Sequence, residues 1–158
     1  MTVPKTIVAV AFLSAYVWPL YAAPSAPAPD VRAAIQGAYD RQAAAVGCED
    51  AAGLAATLAP GFVQVNQRTG ETQSEGQFLS MGLTFALFRS VEAKTTILNV
   101  TLSGGRAVVT SRSHVVLIPR GVGSKAATVP PPLVLEGLSV DTWVKSGPDW
   151  LQQRAETV

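Results

Sequence analysis

The stretch "AGLAATLAPGFVQVNQRTGETQSEGQFL", residues 52–79, sets the order of elements in this chain. It begins with an Ala- and Leu-rich segment of helical character that Pro60 and Gly61 end. The side chains from Phe62 to Gln67 then alternate as in a β-strand, and Gly70 allows the turn that closes the strand. The stretch therefore predicts a helix, a strand and a turn, followed by a further helix.

Two neutral amides, Gln64 and Asn66, lie on the same side of this predicted strand as Phe62. If that side faces the interior, the amides offer hydrogen bonds without charge, which suits binding a neutral or carbonyl-bearing ligand. In the alternative, Val63 and Val65 face the core, and the amides meet water or a partner subunit. The sequence leaves both arrangements open.

Helical patterns lie on both sides of this strand. Asp30 caps a helix that Gly47 ends, and a second, short helix covers Ala51 to Leu58. Ser74 and Gln77 form a capping box that begins a third helix. The apolar side of this third helix holds Phe78, Met81, Leu83, Phe85 and Phe88. We expect these helices to cover one side of the core.

Strand patterns fill the second half of the chain. The segments "VEAKTTILNVTL" and "RAVVTSRSHVVLI" flank "SGGR", whose two glycines allow a primed hairpin turn. The prolines and glycines between Pro119 and Leu133 predict a long loop. A last hairpin joins "VLEGLSVDTWVK" to "WLQQRAETV". The order predicts an α+β fold with a curved antiparallel sheet wrapped on N-terminal helices.

Composition and the first residues indicate one exported domain. The chain has 158 residues, of which 48% are apolar and 15% charged, as expected of a single compact domain. Lys5, the apolar run after it and the small residues that follow predict a signal peptide over residues 1–22. A Pro-rich leader over 23–29 and a domain over 30–158 complete the division. We expect a secreted or periplasmic protein; the alternative is a retained membrane anchor.

Charge and cysteine content argue against several classes of partner. Removal of the signal peptide would leave 11 basic against 11 acidic residues, so we expect neither nucleic-acid nor membrane binding by the mature chain. Cys48 is the single cysteine, which excludes an intramolecular disulfide. We interpret it as a small buried residue, the alternative being a catalytic thiol. One His and one Cys are too few of the usual ligands for a metal site, and we expect no metal or other cofactor.

The residue 52–79 stretch and the segment "VDTWVKSGPDWLQQ" together resemble the nuclear transport factor 2-like superfamily. The likeness covers roughly residues 30–158, and it is greatest to small bacterial members related to SnoaL-like cyclases and ketosteroid isomerase. The resemblance implies a cone-shaped roll with an apolar pocket at its open end, a small hydrophobic ligand and a homodimer formed through the sheet. Because this fold carries enzymes, binding proteins and assembly modules, the function must be argued from the site.

The resemblance also implies where an isomerase would hold its carboxylate base, at the end of the first strand. Here that place falls on Asn66 or Gln67. An amide cannot accept and return a proton near neutral pH. We therefore expect that isomerase activity does not carry over directly.

Other residues are candidates for the site. His114 shares a strand face with Arg112 and is either a base or an exposed sheet residue. Asp141 is either a proton acceptor at a pocket mouth beside Trp143 or a structural residue. Tyr39 is either a phenolic donor to the pocket or an edge residue with its hydroxyl in water. The candidate bases are Asp141 and His114, and the candidate ligand-binding residues are Tyr39, Gln64, Asn66, Phe85, Arg112 and Trp143.

Three functions are compatible with these residues. The first is the binding of a small apolar molecule or dimeric assembly, without a catalytic set. The second is an isomerase or cyclase acting on a small hydrophobic carbonyl compound, with Asp141 or His114 as base and Asn66 or Tyr39 as donor. The third is an inhibitor or immunity partner of another exported protein.

Overall fold

The structure is a computed structural model that describes residues 29–84, 88–120 and 130–158. The predicted signal peptide, nearly all of the leader, Phe85 and the centre of the predicted 119–133 loop lie outside the described residues. In chain order, the described elements are α1 (Pro29–Gly47), α2 (Ala51–Ala55), β1 (Leu58–Asn66), β2 (Thr72–Ser74), α3 (Glu75–Thr84), β3 (Phe88–Ser103), β4 (Arg106–Pro119), β5 (Leu133–Ser146) and β6 (Asp149–Thr157).

The strands form one six-stranded sheet in the order β2-β1-β6-β5-β4-β3. All neighbouring pairs are antiparallel except β1 and β6, which run parallel. The first strand therefore lies beside the last, and the helices that precede and follow it come against one face of the sheet. This is the predicted α+β arrangement, with one parallel pair that the strand patterns do not indicate.

The two predicted hairpins are present, and positive backbone dihedral angles explain their glycines. Gly104 and Gly105 have φ values of 54° and 79° between β3 and β4, as a primed turn requires. Gly147 has a φ of 57° between β5 and β6. Turn geometry sets the register next to both turns, and irregularities between Ile97 and Asn99 and between Thr142 and Trp143 shift it farther along the strands.

The first helix ends at Gly47 as predicted but already begins at Pro29, so that Asp30 lies in its first turn, and the second helix ends earlier than predicted. The Asp50 side chain accepts a hydrogen bond from the Gly53 backbone N–H at 2.9 Å, and α2 ends at Ala55. The Gln77 side chain accepts from the Ser74 backbone N–H at 2.8 Å. Phe88, which the apolar pattern placed on the third helix, is instead the first residue of β3.

The strand β1 begins at Leu58 rather than after the Pro-Gly pair. Its pairing with β6 shifts register between Leu58 and Val63, and Gly61 has a φ of 76° within that shift. A glycine at a bulge lets the strand pass through a proline without ending. The three-residue strand β2 is an element that the sequence pattern did not predict.

One face of the sheet carries the core, and we call it the inner face. The helix α1 packs there through Ile35 and Tyr39 against Val109 and Trp143, all 4% exposed or less. A second cluster joins Leu58, Phe62 and Ala155 to the half-buried Phe78 and Leu79 of α3. The inner face is therefore covered by α1 on one side and by α3 on the other.

Cys48 departs from its interpretation as a buried residue. It follows α1 directly, and its thiol is free and exposed. The helix places Ala45 in the interior, and Cys48 comes three residues later, where the chain leaves the core.

Candidate functional site

Asp141 is the centre of a buried polar cluster on the inner face. It is 1% exposed, and its Oδ2 atom accepts hydrogen bonds from the Tyr39 hydroxyl, from Ser139 Oγ at 2.9 Å and from Ser111 Oγ at 3.2 Å. Its Oδ1 atom is buried without a hydrogen-bond partner among the described residues. Asp141 therefore lies deep in the fold, and not at a pocket mouth as its functional interpretation supposed.

Strand register and helix packing bring this cluster together. Ser111 of β4 lies directly opposite Ser139 of β5, and Asp141 follows two residues later on the same face. Tyr39 reaches the pair from α1, and the Trp143 indole N–H donates to its hydroxyl at 3.3 Å. The two aromatic rings meet edge to face, with centroids 4.8 Å apart. The Tyr39 hydroxyl is thus held inside the core and does not meet water.

Burial controls the protonation of this cluster. Desolvation raises the pKa of Asp141 above its ordinary value, against the opposing effect of the side chains of Tyr39, Ser139, Ser111 and Gln152. Desolvation also raises the pKa of Tyr39, and the nearby Asp141 carboxylate raises it further. Because Oδ2 already accepts three hydrogen bonds, a proton on Asp141 is best accommodated on Oδ1.

The polar character of the inner face continues from Asp141 toward the edge of the sheet. Across neighbouring strands Asp141 lies opposite Ala155, Ala155 opposite Gln64, and Gln64 opposite Gln73. The Oε1 atoms of Gln64 and Gln73 are buried and, among the described residues, accept no hydrogen bond. One row across the sheet therefore holds three buried oxygen atoms that the described residues leave without a hydrogen bond.

A pocket of about 190 Å³ opens at the amide end of this row. It lies between β1, β2 and α3, with Phe62 and Phe78 packed against each other beside it at a ring-centroid distance of 5.0 Å. Its lining consists of Gln64, Asn66, Glu71, Gln73, Met81 and Thr157. The amides of the first strand therefore face the inner side, together with Phe62, and Val63 and Val65 take the other face.

Asn66 and Gln67 have structural contacts at the place where an isomerase would hold its base. Asn66 Oδ1 accepts from the backbone N–H groups of Arg68 and Thr69 at 3.0 and 3.2 Å, which holds the turn after β1. Gln67 Nε2 donates to a Glu156 carboxylate oxygen at 2.6 Å. Asn66 lines the pocket, but its side-chain oxygen already accepts hydrogen bonds from the backbone of the turn.

His114 and Arg112 lie on the opposite, outer face of the sheet. The pairing of β4 with β5 is regular, and His114 is an odd number of residues from the inner-face Val109. His114 Nδ1 lies 3.2 Å from Glu136 Oε1, and the two side chains are 49% and 68% exposed. A carboxylate therefore lies beside His114, but the pair cannot share a cavity with Asp141.

Sequence reasoning missed several residues of the site. The contact between Ser111 and Ser139 depends on cross-strand register, which the sequence does not show directly. Glu71 and Gln73 depend on the unpredicted strand β2. One available signal was the spacing of Ser139 from Asp141, since residues two apart on a strand share a face.

No three His, Cys, Asp or Glu side chains in residues 29–84, 88–120 and 130–158 converge as a ligand set for a metal ion. Within the same ranges, no helix has the length and apolar character needed to cross a bilayer.

Comparisons with known proteins identify the fold. No protein-family model matches the chain, and no curated protein matches it. A conserved protein from Planctomyces limnophilus superposes with a TM-score of 0.69 at 17% identity, over 82% of this chain and 97% of that one. A protein of the NTF2-like family from Streptomyces avermitilis gives 0.65 at 15% identity, over 82% and 99%. A hexachlorocyclohexane dehydrochlorinase, LinA type 2, gives 0.63 at 12% identity, over 82% and 84%.

These likenesses confirm the predicted fold. The chain has the NTF2-like fold, a curved six-stranded sheet with helices on its inner face. At such identities the comparisons show the fold alone, and the same fold carries different activities. The function must therefore be argued from the side chains of the inner face.

Proposed function

We propose that this domain binds a small molecule with an apolar body in the pocket between β1, β2 and α3. The observation that carries the proposal is the pair of facing amides, Gln64 and Gln73, which line this pocket together with Met81. Neutral amide groups can orient a polar end of a ligand by hydrogen bonds. Met81 offers an apolar contact for the body of the molecule.

A thermal-shift screen of small aromatic compounds tests this proposal. Compounds that bind the folded pocket should raise Tm of the wild-type protein. The Gln64→Leu, Gln73→Leu double variant should lose the response, while Thr72→Val, which changes the opposite face of β2, should keep it. Hits that stabilise all three proteins equally would place binding elsewhere and refute the assignment.

A proton-transfer enzyme is the second candidate, and the Tyr39–Asp141 pair favours it. Burial favours the neutral acid at Asp141, and Oδ1 has no partner among the described residues, which suits a group that donates to a carbonyl oxygen while water takes the proton from the α-carbon. Deuterium incorporation at C6 of cyclohex-2-enone, its sp3 α-carbon, in D2O, followed by NMR, tests this candidate. Exchange that is no faster with the wild type than with Asp141→Asn would eliminate it.

Dimeric assembly through the sheet is a further proposal, supported by apolar side chains on the outer face. Val108 of β4 and Leu138 of β5 are 42% and 43% exposed there. Light scattering of the wild type and of a Val108→Glu, Leu138→Glu variant tests it. A monomeric wild-type protein, or a dimer that survives both charges, would contradict assembly through this face.

Export also stays a proposal. We propose cleavage after Ala22, based on the apolar run and small residues of the first 22 positions. Mass spectrometry of the protein from a periplasmic fraction should give a chain that begins at Ala23. A full-length chain confined to the membrane fraction would instead indicate a retained anchor.

A further inference from the structure

The side chains that line the β1–β2–α3 pocket include several hydrogen-bond acceptors, and the one charged group among the described lining residues is a carboxylate. Besides the unpartnered oxygens of Gln64 and Gln73, the lining includes the Glu71 carboxylate, which only accepts when ionised. Asn66 also lines the pocket, but its oxygen is used by the turn. No Lys, Arg or His belongs to the lining that the described residues form, so this lining has no cationic side chain to neutralise the carboxylate.

The arrangement of these acceptors is set by the sheet and its turn. Gln64 and Gln73 are directly opposite each other on antiparallel strands, where neighbouring side chains stand about 5 Å apart. Glu71 comes from the return arm of the turn, whose backbone carbonyl accepts from the Asn66 N–H at 2.8 Å. The carboxylate and the two amide oxygens therefore come to one pocket from the same pair of strands.

We propose that the pocket takes the protonated amine of a small molecule, with Glu71 supplying the countercharge and the oxygens of Gln64 and Gln73 accepting its N–H groups. An ammonium group has three donors and no acceptor, which matches two amide oxygens and one carboxylate. A neutral hydroxyl has a single donor and would leave one amide oxygen unsatisfied. This inference rests on the proposed binding function and specifies the head group of its ligand.

NMR titration with a matched pair of probes tests the head group. The probes are 2-naphthylmethylamine and 2-naphthalenemethanol, which share one aromatic body, added to the 15N-labelled domain. Hydrogen bonds with a charged partner are roughly twice as strong as neutral ones, so the amine should bind about tenfold more tightly at low salt. Its advantage should decrease with added NaCl, because Glu71 is exposed and its field is screened.

Two charge-removing variants make the test specific. Glu71→Gln should reduce the affinity for the amine to about that for the alcohol and leave the alcohol nearly unchanged. Glu92→Gln removes the same charge from β3, at the other edge of the sheet, and should keep the preference for the amine. Gln64→Leu should weaken the binding of both probes.

The outcomes separate this inference from the function on which it rests. Equal binding of the two probes at the pocket amides, unaffected by Glu71→Gln, would overturn the amine head group and leave small-molecule binding in place. Shifts confined to residues outside the pocket for both probes would overturn the binding function, and the head-group assignment with it.

Discussion

Replacing Asp141 with asparagine should change how the stability of the domain depends on pH. Burial raises the pKa of Asp141 in the folded protein, so the unfolded chain releases this proton at a lower pH than the folded protein does. Between the two pKa values the folded state holds the extra proton, and stability falls as pH rises. The stability contributed by this group is complete below its ordinary pKa of about 3.9 and is lost as pH rises through the raised pKa.

The size of the effect follows from one proton in a buried site. For a single group the free energy of unfolding changes by at most about 1.4 kcal/mol per pH unit within the window. Asparagine resembles the protonated acid in shape: its oxygen can accept from Tyr39 and Ser139, and its amide N–H2 takes the place of the unpartnered Oδ1. Asp141→Asn should therefore gain stability relative to the wild type as pH rises from about 4.

Urea unfolding followed by tryptophan fluorescence between pH 4 and 8 measures this difference. Trp143 and Trp150 are both buried and report the loss of the core. Asp149→Asn, at the exposed start of β6, is a matched control that should follow the wild type. A constant difference between wild type and Asp141→Asn at every pH, or a wild type that gains stability relative to the variant with rising pH, would refute the reasoning.

Four further substitutions test the packing of the site and the turns. Tyr39→Phe removes the hydroxyl that donates to Asp141 and accepts from the buried Trp143 indole N–H. The free energy of unfolding, measured in urea, should decrease by about 2–4 kcal/mol. A decrease below about 1 kcal/mol would contradict the hydrogen-bonded cluster around Asp141. Phe62→Ala removes a ring that is 1% exposed and should cost about 3–5 kcal/mol, with a smaller loss indicating that the second cluster collapses around the gap. Gly105→Ala should lower Tm, because alanine at a φ of 79° costs about 1–2 kcal/mol. Gly76→Ala inside α3 should instead raise the free energy of unfolding by about 0.5 kcal/mol. Equal changes of Tm in the two variants would contradict the assigned turn.

Local sequence signals predicted most of the elements because their physical causes are local. The paired glycines at 104 and 105 specify a turn, and the alternation on either side specifies the two strands that it joins. The strand β2 has three residues, too few for alternation to be distinguished from chance. The parallel pairing of β1 with β6 joins segments some 90 residues apart, and nothing in either segment indicates its partner.

The candidate site was only partly predictable because alternation gives relative and not absolute orientation. The sequence shows that Asp141 and Trp143 share a face, and that His114 and Arg112 share one, but not which face is inside. Packing against α1 decides this, and it brings Asp141 to Tyr39 while His114 goes to the outer face. The two candidate bases are thus separated by the thickness of the sheet.

The pocket has an acidic side chain from the turn after the first strand, although the end of that strand carries none. At the end of β1, Asn66 uses its side-chain oxygen to hold two backbone N–H groups of the turn, so this position stabilises the loop and supplies no base. The same turn returns the chain along β1, and Glu71 on the returning arm lines the pocket that Asn66 also borders. Because a tight turn brings residues on its two arms side by side, the strand pair can supply a carboxylate from either arm. The amides at 66 and 67 therefore argue against a base on β1, but the acidity of the pocket is decided by the turn as a whole.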